Sequence, residues 1–290
     1  TSKKLILIPN TMKKSRMQVL IEFSSLLSQL RSKGKSIRKQ VSSQTKKGKA
    51  LLVVLFLISM TSSSFAARYY SRLNGGNWTT PSTWSTITYG NPTNTGTYPQ
   101  AGDQVFIGDG YTVFINNNVA CALVNIGQGS SGTLEYASVA NYTLTVSGNV
   151  TVNNGGKFWY NTATNRLHSC LIGGSFTNYG TVDFYRSSAQ AVNLTLNSTS
   201  NATISGIGTF DLYVVTMNKS LTTSQVTVQT NGFETGIKNF VGTMGTYIHS
   251  NTGVYAINPS AGNFTIGANM VFKVPAGIMW FSALSTDVIL

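Results

Sequence analysis

The chain has 290 residues and a formal net charge of +13. Thirteen Lys and Arg but only one acid, Glu22, fall within residues 1–66, a local net of +12, so the rest of the chain carries 8 basic against 7 acidic side chains. A near-neutral body with scattered cations has no stripe that releases counterions from phosphates, which excludes nucleic acid as a partner.

Residues 1–49 read as a basic leader, or as upstream sequence with no folded role. Thr1 is not a start residue, and Met12 and Met17 are the candidate starts. Val19, Phe23, Leu26 or Leu27 and Leu30 recur at helical spacing before Gly34, so an amphipathic membrane-surface helix is an alternative there. Residues 50–66 follow the order of a signal peptide. Lys46-Lys47-Gly48-Lys49 supplies the basic flank, residues 50–60 an apolar run of 11, and Ser64-Phe65-Ala66 the small-x-small cleavage site. The run is shorter than the ~20 residues of a membrane span. The expectation is therefore a secreted or cell-surface protein that starts at Ala67 and meets the membrane only through its leader during export. An uncleaved anchor is the alternative.

Residues 67–127 form an opening segment that caps the rungs after it. Trp78 and Trp84 lie six apart, with Tyr69, Tyr70 and Tyr89 nearby. Exposed, Trp78, Trp84 and Tyr89 would stack on sugar rings; buried, the tryptophans would plug the end of the fold over open strand edges. Gly102-Asp103 then precedes Val105 and Ile107, and Gly110 precedes Val113 and Ile115, each pair alternating into a core.

Residues 128–290 carry a repeat. Gly132-Thr-Leu-Glu-Tyr, Gly156-Lys-Phe-Trp-Tyr, Gly180-Thr-Val-Asp-Phe and Gly208-Thr-Phe-Asp-Leu are spaced by 24, 24 and 28 residues. A period of this size signals a solenoid. Each unit reads as a short strand, a Gly bend, a second strand, an Asn/Gly turn and a third strand, and no rung buries its apolar residues alone. The fold expected is all-β, a right-handed parallel β-helix with rungs of roughly 24 residues. An antiparallel β-sandwich is the runner-up. Alternation places Val182 and Phe184 inside with Leu134, Tyr136, Phe158, Tyr160, Phe210 and Leu212, and Asp183 outside. After 212 the phase loosens, although 225–240 and 262–274 keep the strand, Gly/Asn, strand texture. The chain stops on an apolar stretch at 285–290 without a polar cap, so the protein is expected to continue.

Trp78, Trp84, Tyr98-Pro-Gln-Ala-Gly-Asp-Gln-Val-Phe-Ile, Gly110-Tyr-Thr-Val-Phe-Ile and the later rung sequences resemble the eight-glycine domain family. They also resemble the opening of large surface proteins secreted by Bacteroidetes. The resemblance covers about residues 74–212. It departs at Trp84-Ser85, which is followed by Thr86-Ile87 and an insertion where the family has Gly-Gly. It implies an exported, adhesin-like β-helical module. Some eukaryotic relatives of that family act on hyaluronan, but no catalytic motif carries over to this chain.

Candidate chemistry is sparse. Glu135, Asp183 and Asp211 share one phase, and adjacent rungs would bring Asp183 and Asp211 to about 4.8 Å, the strand spacing. That suits a Ca²⁺ ion or glycosidic-bond chemistry. Trp159 interrupts the row, however, and no further acid or base joins it, so solvated surface acids are the first reading. His168 and His249 lack metal-ligand spacing, the Gly-rich turns lack a strand–helix context, and no metal or cofactor is expected. Cys121 and Cys170 fall two rungs apart, about 9–10 Å at strand spacing, beyond the reach of a disulfide, and are expected as free thiols. The resulting expectation is a non-enzymatic surface module that binds glycans or other surface proteins. The alternative is a carbohydrate-active β-helix, a lyase or hydrolase working through Asp183 and Asp211.

Overall fold

The structure is a computed structural model that describes residues 66–161, 163–250, 254–257, 264–275 and 278–281. The expectations for residues 1–49, for the signal peptide up to Phe65 and for the chain end at 285–290 lie outside them. The chain winds in turns of three short strands. β1 (Arg68–Ser71) and β2 (Gly76–Asn77) open the first turn, and β3 (Trp84–Ser85) folds back antiparallel on β1. The next turn is β4 (Gln104–Ile107), β5 (Thr112–Ile115) and β6 (Val119–Cys121), followed by β7 (Leu123–Ile126), β8 (Thr133–Tyr136) and β9 (Thr143–Val146). Then come β10 (Val150–Val152), β11 (Lys157–Trp159) and β12 (Arg166–Ile172), and β13 (Phe176–Asn178), β14 (Thr181–Asp183), a side arm β15 (Tyr185–Ser187) and β16 (Gln190–Leu196). Later turns are β17 (Ala202–Ser205) and β18 (Thr209–Asn218), then β19 (Gln225–Val228), the helical turn α1 (Asn231–Gly236) and β20 (Ile237–His249). β21 (Val254–Ile257), β22 (Phe264–Lys273) and β23 (Ile278–Phe281) complete the described strands.

Equivalent strands pair in parallel, turn upon turn, and make three faces. Face one runs β1, β4, β7, β10, β13, β17, β19 and the end of β20. Face two runs β2, β5, β8, β11, β14 and the start of β18. Face three runs β6, β9, β12, β16, the end of β18, the start of β20 and β22. This is the parallel β-solenoid expected from the repeat, not the sandwich. Its stacked turns already begin with β1 and β4, before residue 128, because the opening segment carries the alternation without the Gly-Thr signature.

The register reproduces the sequence period: Leu134, Phe158, Val182 and Phe210 are successive partners on face two. All four are buried, as are Tyr136, Tyr160, Phe184 and Leu212. Each such side chain withdrawn from water stabilises the fold by about 1.5–3 kcal/mol. Outside the core, asparagines at the bends tie one turn to the next. Asn74, Asn118, Asn149 and Asn201 accept through Oδ1 from the backbone N–H of Thr112, Thr143, Ser175 and Gln225, at 2.8–2.9 Å. These side chains satisfy backbone donors that the strand ladders leave at the corners.

One segment departs from the strand reading. Residues 231–236 are helical where face two would continue. Phe233 and Glu234 are both fully buried, and regular strand alternation does not direct two neighbours to the same side. The helical turn does so and sets the Phe233 ring edge-on to Phe210 at 5.4 Å.

The glycines that open β14 and the face-two part of β18 have a steric cause. A β-carbon at Gly180 would lie 2.2 Å from the Gly156 carbonyl oxygen, and one at Gly208 would lie 2.5 Å from that of Gly180. Successive turns touch backbone to backbone at this corner. Gly180→Ala is expected to destabilise the protein by about 3 kcal/mol through overpacking, read as a lower urea midpoint. An unchanged midpoint would show that the corner has slack.

Candidate functional site

The outward side of face two carries one continuous column. Asn77, Phe114, Glu135, Trp159, Asp183 and Asp211 are register partners in successive turns, so they recur at about the 4.8 Å strand spacing. Their side chains are held by one another. Trp159 Nε1 donates to Glu135 Oε2 at 3.0 Å, and Lys157 Nζ lies 4.7 Å from the Trp159 ring centroid. Asp211 Oδ1 pairs with Lys238 Nζ at 3.1 Å.

Two residues beyond the acids, at the corner leading to face three, the Tyr185 and Tyr213 rings stack at 5.3 Å and 17°. Lys238 Nζ lies 5.7 Å from the Tyr185 ring centroid. Arg186, in the side arm, donates to Asn161 Oδ1 at 3.0 Å. Asp183 and Asp211 are thus neighbours, but in different settings. Burial pushes the Asp183 carboxyl above the usual carboxylate range, with Asp211 adding to it, against the Tyr185 N–H and Arg186. Burial also raises Glu135, against the hydrogen bond from Trp159.

Trp78 and Trp84 correct the sugar-stacking option. Both are fully buried, 5.4 Å apart and edge to face, with Trp84 Nε1 donating to the Trp78 carbonyl at 2.7 Å. They plug the opening turn and present no ring to solvent. Tyr89 is half-buried and packs edge-on against Tyr70 at 5.1 Å. The platform residues Phe114, Tyr185, Tyr213 and Lys238 were not among the residues the sequence singled out. The signal for the tyrosines was present in Asp183-Phe-Tyr and Asp211-Leu-Tyr, which share Asp and Tyr two residues apart in successive rungs.

The interior holds several polar groups. Cys121 and Cys170 are buried free thiols on face three, two turns apart, with β9 between them. Burial raises both, Cys170 to about 12, which makes them poor nucleophiles. Glu234, fully buried, accepts from Tyr247 Oη at 2.9 Å and pairs with His249 Nδ1 at 2.8 Å. Lys219, also buried, donates from Nζ to the Asn197 carbonyl at 2.8 Å and to Ser198 Oγ at 3.2 Å. These groups close off bends and the lumen. No cluster of three or more His, Cys, Asp or Glu suited to a metal occurs among the described residues. No family model, curated protein or solved structure matches the chain.

His168 gives the interior a pH dependence. It is fully buried among Tyr136, Tyr142 and Tyr160, and Nδ1 accepts from the Tyr142 N–H at 3.0 Å, so the neutral ring carries its proton on Nε2. Burial, helped by Arg166, lowers its pKa from 6.5 to about 4. The unfolded chain therefore takes up this proton from about pH 6.5 downward and the folded chain only near pH 4. The stabilisation is complete above that window and falls by about 3 kcal/mol across it. His168→Phe should remove this part of the slope in urea unfolding measured from pH 7 to 4. An identical slope in both proteins would contradict the assignment.

Proposed function

We propose that this chain is an exported, non-enzymatic, adhesin-like surface module that presents face two of its solenoid to glycans. The observation that carries this reading is the outward column of half-buried rings and acids, Phe114, Glu135, Trp159, Asp183 and Asp211, flanked by the stacked Tyr185 and Tyr213. Ring faces repeat along a rigid axis with hydrogen-bonding groups between them, which suits a linear ligand of repeating rings. Glu135 and Asp211 are engaged by Trp159 and Lys238, as holding groups are. Export is supported by the basic flank, apolar run and cleavage site at 46–66. It is also supported by Ala67, whose N lies 3.0 Å from Asp103 Oδ1. Cleavage before Ala67 would set a new α-ammonium on that carboxylate as a charge-assisted hydrogen bond. The resemblance to Bacteroidetes surface proteins points the same way.

A carbohydrate-active reading has one observation in its favour. Asp183 and Asp211 are adjacent, and burial, with Asp211 adding to it, raises the Asp183 carboxyl, which suits a general acid beside a second carboxylate. One experiment addresses both readings: a glycan array on the full chain, followed by incubation of any bound glycan and analysis for cleavage. The proposal expects binding without cleavage, weakened by about tenfold or more in Trp159→Ala and in Tyr185→Ala/Tyr213→Ala, as for truncated hot-spot rings. Cleavage that disappears in Asp183→Asn/Asp211→Asn would establish the second reading instead.

A further inference from the structure

A second recess lies away from that column, at the first turn of face three. β6 pairs with β9 and has no strand partner on its other side among the described residues. The chain from Tyr98 to Ala101 runs past that side and leaves a groove of about 360 Å³. That volume is within the usual range for small-ligand sites. One wall comes from Tyr98 and Gln100; the other comes from Asn117, Asn118, Thr143 and Thr145. No Lys, Arg, Asp or Glu is among the described residues that line it.

The walls are fixed by bonds that leave the lining side chains in place. Trp78 Nε1 donates to the Pro99 carbonyl at 3.3 Å, and the Gln100 N–H donates to Asp103 Oδ2 at 2.8 Å. On the other side Asn118 Oδ1 accepts from the Thr143 N–H at 2.9 Å, and Thr79 is tied to Asn116 through Oγ1 at 2.8 Å. A preformed recess of this kind orders little on binding.

We propose that this groove is a binding site for a neutral saccharide unit. Amide and hydroxyl side chains both donate and accept, matching a ligand whose hydroxyls do the same. The half-buried Tyr98 ring offers an apolar face to the carbon side of a sugar ring. With no cation in the lining there is nothing to neutralise a carboxylate, sulfate or phosphate. An anionic ligand would therefore lose hydration without a partner. The site is built on the 98–101 segment, β6 and β9, whereas the column of face two lies on other strands, so the two bind independently.

The test is titration of the full chain with short neutral oligosaccharides of glucose, galactose, mannose and xylose, beside uronate-containing and sulfated ones, followed by nuclear magnetic resonance. Neutral oligosaccharides are expected to bind and to shift the amides of Tyr98, Gln100, Ala101 and residues 117–120. Thr145→Trp, which fills the groove from an outward strand position, and the milder Gln100→Ala, on an exposed loop, should each weaken binding by about tenfold, the usual effect of losing a central contact. Affinity is read from the groove amides alone, and shifts confined to the face-two positions 114, 135, 159, 183 and 211 would assign the binding to that column and overturn the groove proposal, which separates failure here from failure of the face-two reading. Retention of full affinity in both groove variants, binding confined to acidic oligosaccharides, or no neutral binding by the unaltered chain would overturn the proposal.

Discussion

Backbone contact at one corner governs this molecule. Where three successive turns enter face two through β11, β14 and β18, the chain passes so close to the turn below that only hydrogen fits in place of a side chain. Gly156, Gly180 and Gly208 stack there, each with the previous turn's carbonyl in the space of its missing β-carbon. None of the three has a left-handed backbone, so contact distance, not conformational freedom, demands glycine. The contact also places the hydrogen bonds. The amides of Lys157, Thr181 and Thr209 donate to the carbonyls of Gly132, Gly156 and Gly180 at 2.8–3.0 Å. With the corner fixed, the inward residues of face two fall above one another, and Leu134, Phe158, Val182 and Phe210 become a stack.

The same spacing orders the outer surface. Side chains that would be scattered on a globular protein form columns whose pitch is the strand separation. The face-two column therefore has a regular surface chemistry even though its residues differ, and Glu135 and Asp211 find partners one turn away. Asp183 has the longest hydrogen bond of the three acids, from the Tyr185 N–H at 3.4 Å, with the Arg186 charge nearby. Two buried polar groups sit where the regular winding changes, Lys219 at a bend between faces three and one and Glu234 in the helical turn, whereas His168 lies on the regular strand β12 against the tyrosines of the lumen. A polar group enclosed without partners costs several kcal/mol, which accounts for the bonds gathered around Lys219 and Glu234.

Much of the interior was legible because two signals coincide. The 24-residue period and the two-residue alternation assign Val182 and Phe184 to the core independently, and both are buried. Cys121 and Cys170 followed from phase alone. The helical turn at 231–236 was not legible, because Asn-Gly and Thr-Gly look like the turns elsewhere. Trp78 and Trp84 were ambiguous because two-residue strands and a 3-10 turn carry no periodicity to orient a ring. The Tyr185–Tyr213–Lys238 corner depends on how the chain bends after face two. The side arm at Tyr185–Ser187, antiparallel to β16, breaks the repeat in that place. The groove by Tyr98 was invisible for the same reason, being made by an insertion against an edge strand.

Amide hydrogen exchange tests the central constraint most directly. If backbone contact at the glycine corner holds the turns together, the amides of Lys157, Thr181 and Thr209 should exchange as slowly as the inward strand residues Phe158 and Val182. All of these should be slower by orders of magnitude than the exposed loop at 86–88, since protection reports the free energy of opening. Fast exchange at Lys157, Thr181 and Thr209, with protection confined to the aromatic stack, would contradict the account and move the origin of the fold's order to the lumen.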